Sequence, residues 1–411
     1  MSRLPAVLFV RTPAKQIGQN RSRESELVHF QGAIVASKKP YTFVDLFAGC
    51  GGLSTGLEQA GFTPCFVNEI VETYCNTYKK NHALSDEQYF VGDINELNKS
   101  LNKYKRHISN ATLVCGGPPC QGFSMANRQR VIDDPRNNLY KAYLTFLQYA
   151  RPHFFIMENV KGMANKISEI KENFKEYLGD EYQFDYALLR AQDYGVPQNR
   201  ERLIFIGNRD GVDPKQIFAE IEKQKRTAFT LKDALIGLPH LEARKEKGQQ
   251  DVENEESGFT VRKFKYPKND FYRFINGKRS IDKLYNHKNR YNNERDIEIY
   301  RRLPQGANSL HESIADIMPY KKRNDIFKDK YFKLDENQIC KTITSHMKFD
   351  CNMYIHPWEA RGLSPREAAR IQTFPDDYIF TGPQNSWYAQ IGNAVPVKLA
   401  FVIGNAIRKF L

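Results

Sequence analysis

The residues best placed to do chemistry lie in CGGPPCQGFS, residues 115–124. Cys120 follows Pro118 and Pro119 directly, and Gly122 comes two residues later. The prolines fix the backbone before the thiol, and the glycine frees the chain after it. A cysteine thiol is strongly nucleophilic even when only a few per cent ionised, so one held at a stiff hinge suits attack on a single substrate atom. Cys115, inside the apolar run ATLVC, reads as a core thiol. Glu158, in MENV, closes the apolar run HFFIM and would either share a proton with a substrate or cap a helix. QNRER supplies Gln198, Arg200 and Arg202. Arginines two apart on a strand share a face, where they form structural ion pairs or grip a carbonyl or phosphate.

A second constellation involves no nucleophile. DLFAGCGG, residues 45–52, reads as a strand entering a glycine turn and then a helix, whose first amides suit an anion. It departs from the dinucleotide fingerprint because Ser54 stands where the third glycine should be. Glu69 ends the next apolar run, where an acid can hold a ribose hydroxyl pair. Asp93, in VGDI, ends a third and can accept from an adenine amino group. Together these describe an adenosine-bearing cofactor without a pyrophosphate, which S-adenosylmethionine fits. The alternative is an ordinary doubly wound sheet with incidental acids.

The elements that must carry these residues are legible between 41 and 208. Apolar runs TFVDLF, PCFVNEI, ATLVCGG, HFFIMENV and RLIFIGN alternate with helical patterns at 53–60, 71–78, 139–149 and 167–177. That alternation predicts an α/β fold with a parallel sheet covered by helices on both faces. Glycine and proline clusters fall at the carboxyl ends of the strands, where such sheets bind ligands. From about 210 to 357 the chain turns polar, basic and Asn-rich, with an acidic insert at QQDVENEES. In LSPREAARIQTFP, Ser364, Pro365 and Glu367 predict an N-cap, a first helical residue and a capping box. An apolar helix over about 396–410 is expected to pack back on the first half. Residues 1–40 fit neither half; their LPAVLFV reads as a strand or arm rather than a signal peptide.

Composition narrows the partners. The 411 residues carry a formal charge of +13, and residues 262–333 hold 19 Lys and Arg against 9 Asp and Glu. Aromatic residues are interleaved there, including Phe264, Tyr272, Phe274 and Tyr300, so the segment reads either as a solvated basic face or as a nucleic-acid surface. Seven scattered cysteines without a CxxC pair argue against a disulfide framework or a zinc site and suit a reducing cytoplasm. No apolar run is long enough to span a membrane.

In their order these motifs resemble the DNA (cytosine-5) methyltransferases. DLFAGCGG resembles that family's cofactor motif, GGPPCQGFS its catalytic loop, MENV its glutamate motif and QNRER its paired-arginine motif. RGLSPREAARIQTFPDDY resembles the helix after the target-recognition region, and QIGNAVP the C-terminal cofactor motif. The resemblance covers about residues 41–411. It implies a Rossmann-like methyltransferase domain at 41–210, a smaller target-recognition domain at 211–375 and a returning segment at 376–411. It implies Cys120 as nucleophile toward cytosine C6, Glu158 at N3, Arg200 at O2 and Arg202 in support. Phe47, Gly49, Gly51, Glu69, Ile70, Asp93, Ile94, Pro119, Asn393 and Val395 would surround S-adenosylmethionine. Gln121, Ser124, Arg262, Lys263 and Lys265 would meet double-stranded DNA, whose target base must leave the stack. Compact size points to the modification half of a restriction system, a cytoplasmic monomer with an independently acting endonuclease and no metal. A tRNA cytosine-5 methyltransferase and a catalytically silent DNA-binding relative are the alternatives.

Overall fold

The computed structural model describes residues 40–109, 111–119, 139–245, 262–265, 269–319 and 330–411, with backbone alone for Arg262 and Lys263. The extension at 1–39 lies outside them. Seven strands form the main sheet: β1 Thr42–Leu46, β2 Thr63–Glu69, β3 Tyr89–Val91, β4 Leu113–Gly116, β5 Phe154–Asn159, β6 Gln183–Arg190 and β7 Glu201–Asn208. Their spatial order is β3-β2-β1-β4-β5-β7-β6. Between them run α1 Gly52–Gln59, α2 Glu72–Asn81, α3 Ile94–Lys99, α4 Leu101–Ile108, α5 Leu139–Ala150 and α6 Ile167–Leu178.

Strand alternation distributes the apolar side chains to two cores. Val44, Phe66, Val114, Phe155, Met157 and Phe205 join α3 to α6 on one face. Phe43, Leu113, Phe154, Ile156, Ile204 and Ile206 meet α1 and the C-terminal helix on the other. Each strand is thus apolar on both sides, which is why it reads as an unbroken run.

One expectation needs correcting. β7 pairs antiparallel with both β5 and β6, so the sheet is mixed rather than parallel throughout. β6 joins β7 through the ten residues 191–200, and a parallel crossover needs a dozen or more. β6 escapes the sequence because it is an edge strand and only half-buried along most of its length.

After β7 come α7 Pro214–Glu222, α8 Leu231–Leu235, the ribbon of β8 Arg262–Lys263 with β9 Lys283–Leu284, α9 Asp270–Asn276 and α10 Glu294–Arg302. The chain then forms α11 Pro365–Ile371, α12 Gln384–Asn393 and α13 Val397–Ile407. α11 starts as expected: Ser364 N donates to Glu367 Oε2 at 2.7 Å, and Glu367 N returns a bond to Ser364 Oγ. A third core joins α8, α9, α11 and α12 to Val397 of α13, and residues 40–411 cohere as one unit that contains the expected divisions at 210 and 375. α13 crosses α1 where both carry glycine: a Cβ on Gly56 would lie 2.4 Å from Ala400 Cβ and from Val397 O. No described helix is long and apolar enough to cross a membrane.

Candidate active site

Two groups of the expected residues gather at the carboxyl ends of the strands. The first begins where β1 ends. Phe47 and Gly49 both take φ 57° and Gly51 takes φ 86°, left-handed geometry that a β-carbon resists and glycine adopts freely. Gly51 N closes the turn on Ala48 O at 3.0 Å. Glu69, at the end of β2, holds it from the side: Gly49 N donates to Oε2 at 2.7 Å and Val71 N to Oε1 at 2.8 Å. Burial raises the Glu69 carboxyl above its ordinary range, against the pull of those amides. Each oxygen retains a lone pair for a further donor.

Nothing lies within 4 Å of where a Gly49 Cβ would stand, so the turn faces open space. Ile70, 61 % exposed, flanks that space. Asp93 caps α3, its Oδ1 accepting from Asn95 N at 2.7 Å, and lies exposed at the β3 end. Ile94, expected beside a cofactor, is 2 % exposed, with its side chain in the core. It is the first inward-facing residue of the helix that Asp93 caps. The C-terminal segment packs beside the turn: a Cβ on Gly52 would fall 2.6 Å from Val395 O, and Asn393 is exposed beside it.

Beneath the turn lies a chain that no spacing reveals. Tyr78 donates to Ser54 Oγ at 2.7 Å, and Ser54 donates to Asp45 Oδ2 at 2.5 Å. Burial, with repulsion from Glu69, pushes the Asp45 carboxyl up to about 7. Cys115 pairs opposite Asp45 in the sheet and is fully buried, as its apolar run suggests.

The second group lies between β4 and β5. β4 runs out through Gly117 to Pro118 and Pro119. Asn159 Nδ2 donates to Pro118 O at 2.9 Å, pinning the proline step to the end of β5. A Cβ on Gly117 would come 3.0 Å from Glu158 Oε2, so a side chain there would press on that carboxylate. Arg202 Nε meets Glu158 Oε1 at 2.5 Å, with 15 % and 13 % of the two side chains exposed. The pair arises from register: Glu158 sits opposite Ile204, leaving Arg202 as its same-face diagonal neighbour. Cys120, Gln121 and Ser124 lie outside the described residues.

The arginines exchange the places expected of them. Arg200 is 1 % exposed and donates to Ile343 O at 2.7 Å, Gly392 O at 3.1 Å and Ala394 O at 2.9 Å. β7 begins only at Glu201, so the two-residue rule does not apply, and Arg202 alone faces Glu158. Arg200 instead ties the start of β7 to the residues flanking Asn393. Gln198 assists, bonding Ile343 N and Gln372 Oε1.

The basic segment also divides. Phe264, Phe271, Tyr272 and Tyr300 are core residues, so these four aromatic side chains serve packing, while Phe274, Tyr285 and Tyr291 are partly exposed. Arg279 pairs with Asp377 at 2.7 Å, and Arg302 with Glu298 and Asp316 at 2.8 and 2.9 Å. Lys265, Lys278 and Lys283, on or near the β8–β9 ribbon, are exposed and make no ion pair among the described residues.

Known proteins resolve what this arrangement belongs to. Residues 41–409 match the family described as C-5 cytosine-specific DNA methylase. The chain belongs to that family. Type II methyltransferase M1.HphI of Haemophilus parahaemolyticus is 32 % identical over 380 residues, covering 90 % of this chain and 87 % of the relative. Type II methyltransferase M.DdeI of Desulfomicrobium norvegicum is 32 % identical over 387 residues, covering 89 % and 88 %. A crystal structure of a DNA modification methyltransferase encoded within an E. coli prophage superposes with TM-score 0.69 at 27 % identity, covering 90 % of this chain and 98 % of that one. The S. pombe Dnmt2 methyltransferase, 14 % identical with TM-score 0.52, shares the fold. This chain is therefore a DNA (cytosine-5) methyltransferase of the type II restriction-modification kind, with the Rossmann-like fold of its family.

Proposed function

We propose that this methyltransferase modifies the C5 of a cytosine turned out of a specific short duplex sequence, with Cys120 as nucleophile and S-adenosylmethionine as donor. The observation that carries the reading is the Glu158–Arg202 pair at 2.5 Å, set against Gly117 three residues before Cys120. Cytosine C5 is a weak nucleophile. Addition of the Cys120 thiolate to C6 pushes electrons toward C5, while Glu158 holds the N3 edge and Arg202 the O2. When C5 has taken the methyl group, loss of the C5 proton and of the Cys120 sulfur restores the ring. Oriented acid–base and electrostatic groups of this sort contribute factors of about 10²–10⁴ each.

S-adenosylmethionine supplies an electrophilic methyl group on a sulfonium and carries no phosphate. The first group suits it: Glu69 has lone pairs for a ribose, Ile70 offers an apolar wall, Asp93 an acceptor, and the space over Gly49 admits a ligand against backbone. Phe47, Gly51, Pro119, Asn393 and Val395 complete its surroundings. Ile94 would contribute its backbone N–H at the start of α3, its side chain lying in the core. We assign residues 41–210 to catalysis, 211–375 to target recognition and 376–411 to the return. The ribbon with Arg262, Lys263 and Lys265 would meet phosphates, joined by Gln121 and Ser124. The enzyme would act as a cytoplasmic monomer, with any cognate endonuclease working separately.

The decisive experiment is transfer of labelled methyl groups to duplex DNA and, in parallel, to tRNA. Cys120→Ala is expected to abolish transfer to DNA while cofactor binding survives, and DNA containing 5-fluorocytosine should trap the unsubstituted enzyme covalently. Full activity in Cys120→Ala, or methylation of tRNA in place of DNA, would overturn the reading.

A further inference from the structure

The glycine turn is held from its carbonyl side by His82 and Glu58, which no motif includes, and by Tyr378, the last residue of RGLSPREAARIQTFPDDY. His82 ends α2 and is buried. Its Nδ1 lies 2.7 Å from Glu58 Oε2 on α1, and its Nε2 lies 3.1 Å from Tyr378 Oη. Tyr378 in turn donates to the carbonyl oxygen of Cys50, within the turn. The fit leaves no slack: a Cβ on Gly51 would stand 2.5 Å from His82 Nε2 and 2.8 Å from Tyr378 Oη. Gly51 N–H bonds Ala48 O on the far side of the same peptide, so the plane of the Cys50–Gly51 peptide is fixed from both faces.

Counting hydrogens decides the state of the ring. The Tyr378 hydroxyl has one proton, which burial keeps in place, and the Cys50 carbonyl can only accept it. Toward His82 the hydroxyl therefore presents a lone pair, and Nε2 must carry a proton. Nδ1 faces a carboxylate that also only accepts, so it must carry one too. Three titratable groups face the ring: Glu58 from α1, Tyr378 from the segment after α11, and Tyr78 from α2, tilted by 31° with centroids 4.0 Å apart. Tyr78 has already given its proton to Ser54. Glu58 is the only carboxylate among the described residues paired with His82.

We propose that His82 is a positioning residue for the cofactor turn, a doubly protonated imidazole that is held by Glu58 and directs the Tyr378 hydroxyl onto the Cys50 carbonyl. The proposal rests on the reading that this turn binds S-adenosylmethionine. When the ring loses its second proton, Nε2 becomes an acceptor and competes with Cys50 for the Tyr378 hydrogen. The peptide is then free to rotate, and the turn loses the shape that would hold the cofactor.

Two measurements on the full chain test this. The ¹⁵N resonances of the His82 ring should report both nitrogens protonated at neutral pH, and Glu58→Gln, which keeps an acceptor but removes the charge, should shift one nitrogen to the unprotonated range. Calorimetric titration with S-adenosylmethionine, without DNA, should show affinity about tenfold weaker in His82→Gln and in Tyr378→Phe, the loss expected for one charge-assisted hydrogen bond. The double variant should be no weaker than the poorer single one, because both break one chain, while KM for DNA stays unchanged. A neutral His82 ring at neutral pH, or single variants binding within about twofold of the unsubstituted enzyme, would overturn the proposal. Failure of the unsubstituted enzyme to bind S-adenosylmethionine would instead sink the cofactor reading, leaving the ring resonances to judge the proton count.

Discussion

The strand ends and the basic segment both concentrate charge, but they use it differently. At the strand ends, carboxylates are mostly buried and turned toward a ligand space: Glu69 grips two amides beside the opening over Gly49, and Glu158 faces Gly117 with only Arg202 against it. Between 262 and 364, buried charge serves assembly. Arg361 meets Glu367 at 2.8 and 2.7 Å, and Arg370 meets Asp376 at 2.7 and 2.9 Å, just beyond it. Burial works against the Glu367 carboxylate, yet Arg361 and His356 hold it well below its usual range. The difference teaches that a count of charges locates neither site. What separates them is whether a buried carboxylate is spent on a guanidinium in the core, as Glu367 and Asp376 are, or stands beside the open space over Gly49, as Glu69 does.

Substitution at Glu158 should draw the sharpest line between the regions. Glu158→Gln is expected to lower kcat for methyl transfer by about 10²–10⁴ while DNA affinity holds, measured by labelled methyl incorporation under saturating substrates. Next in size is Arg200→Met, which strips donors from three buried carbonyls. At about 1–3 kcal/mol for each group left unsatisfied, the melting temperature should fall by many degrees. If Arg200 touched substrate instead, stability would hold and only kcat would fall.

The two regions should also respond oppositely to pH. The Asp45 carboxyl is raised to about 7 by burial, so its contribution is complete below about 4 and is lost as pH rises through about 7. Asp45→Asn should flatten that loss, seen as a melting temperature less dependent on pH between 5 and 8. Burial lowers His287 and His356 to about 4. Their contribution is present above about 6.5 and is lost as pH falls toward about 4. Replacing either by Gln should therefore weaken the acid limb of the unfolding profile. The smallest effect belongs to Lys265→Ala. One phosphate contact fewer should reduce the slope of log affinity against log salt by about one and leave kcat unchanged.

Much of the catalytic half was legible because its signals are local. Apolar runs, glycine turns and the Ser364–Glu367 box each span a few residues, and the expected helices appear within three residues of their expected ends. Three things were hidden, each for a physical reason. β7 reads like its neighbours because burial on both faces erases direction from the sequence. The arginine exchange turns on where β7 begins, a single residue that decides which side chain faces Glu158. The aromatic residues of the basic segment alternate with cations both in a stacking surface and in a small core, and only packing tells these apart.

The glycine crossing of α1 and α13 has a consequence in time. The helix that leads out of the cofactor turn rests on one made far later; the hydrogen bond from Lys398 to Gln59 spans 339 residues. At synthesis rates of about 5–20 residues per second, the turn waits roughly 20–70 s for its support. The helix that follows the β1 turn therefore gains this packing only after residue 398 has been made.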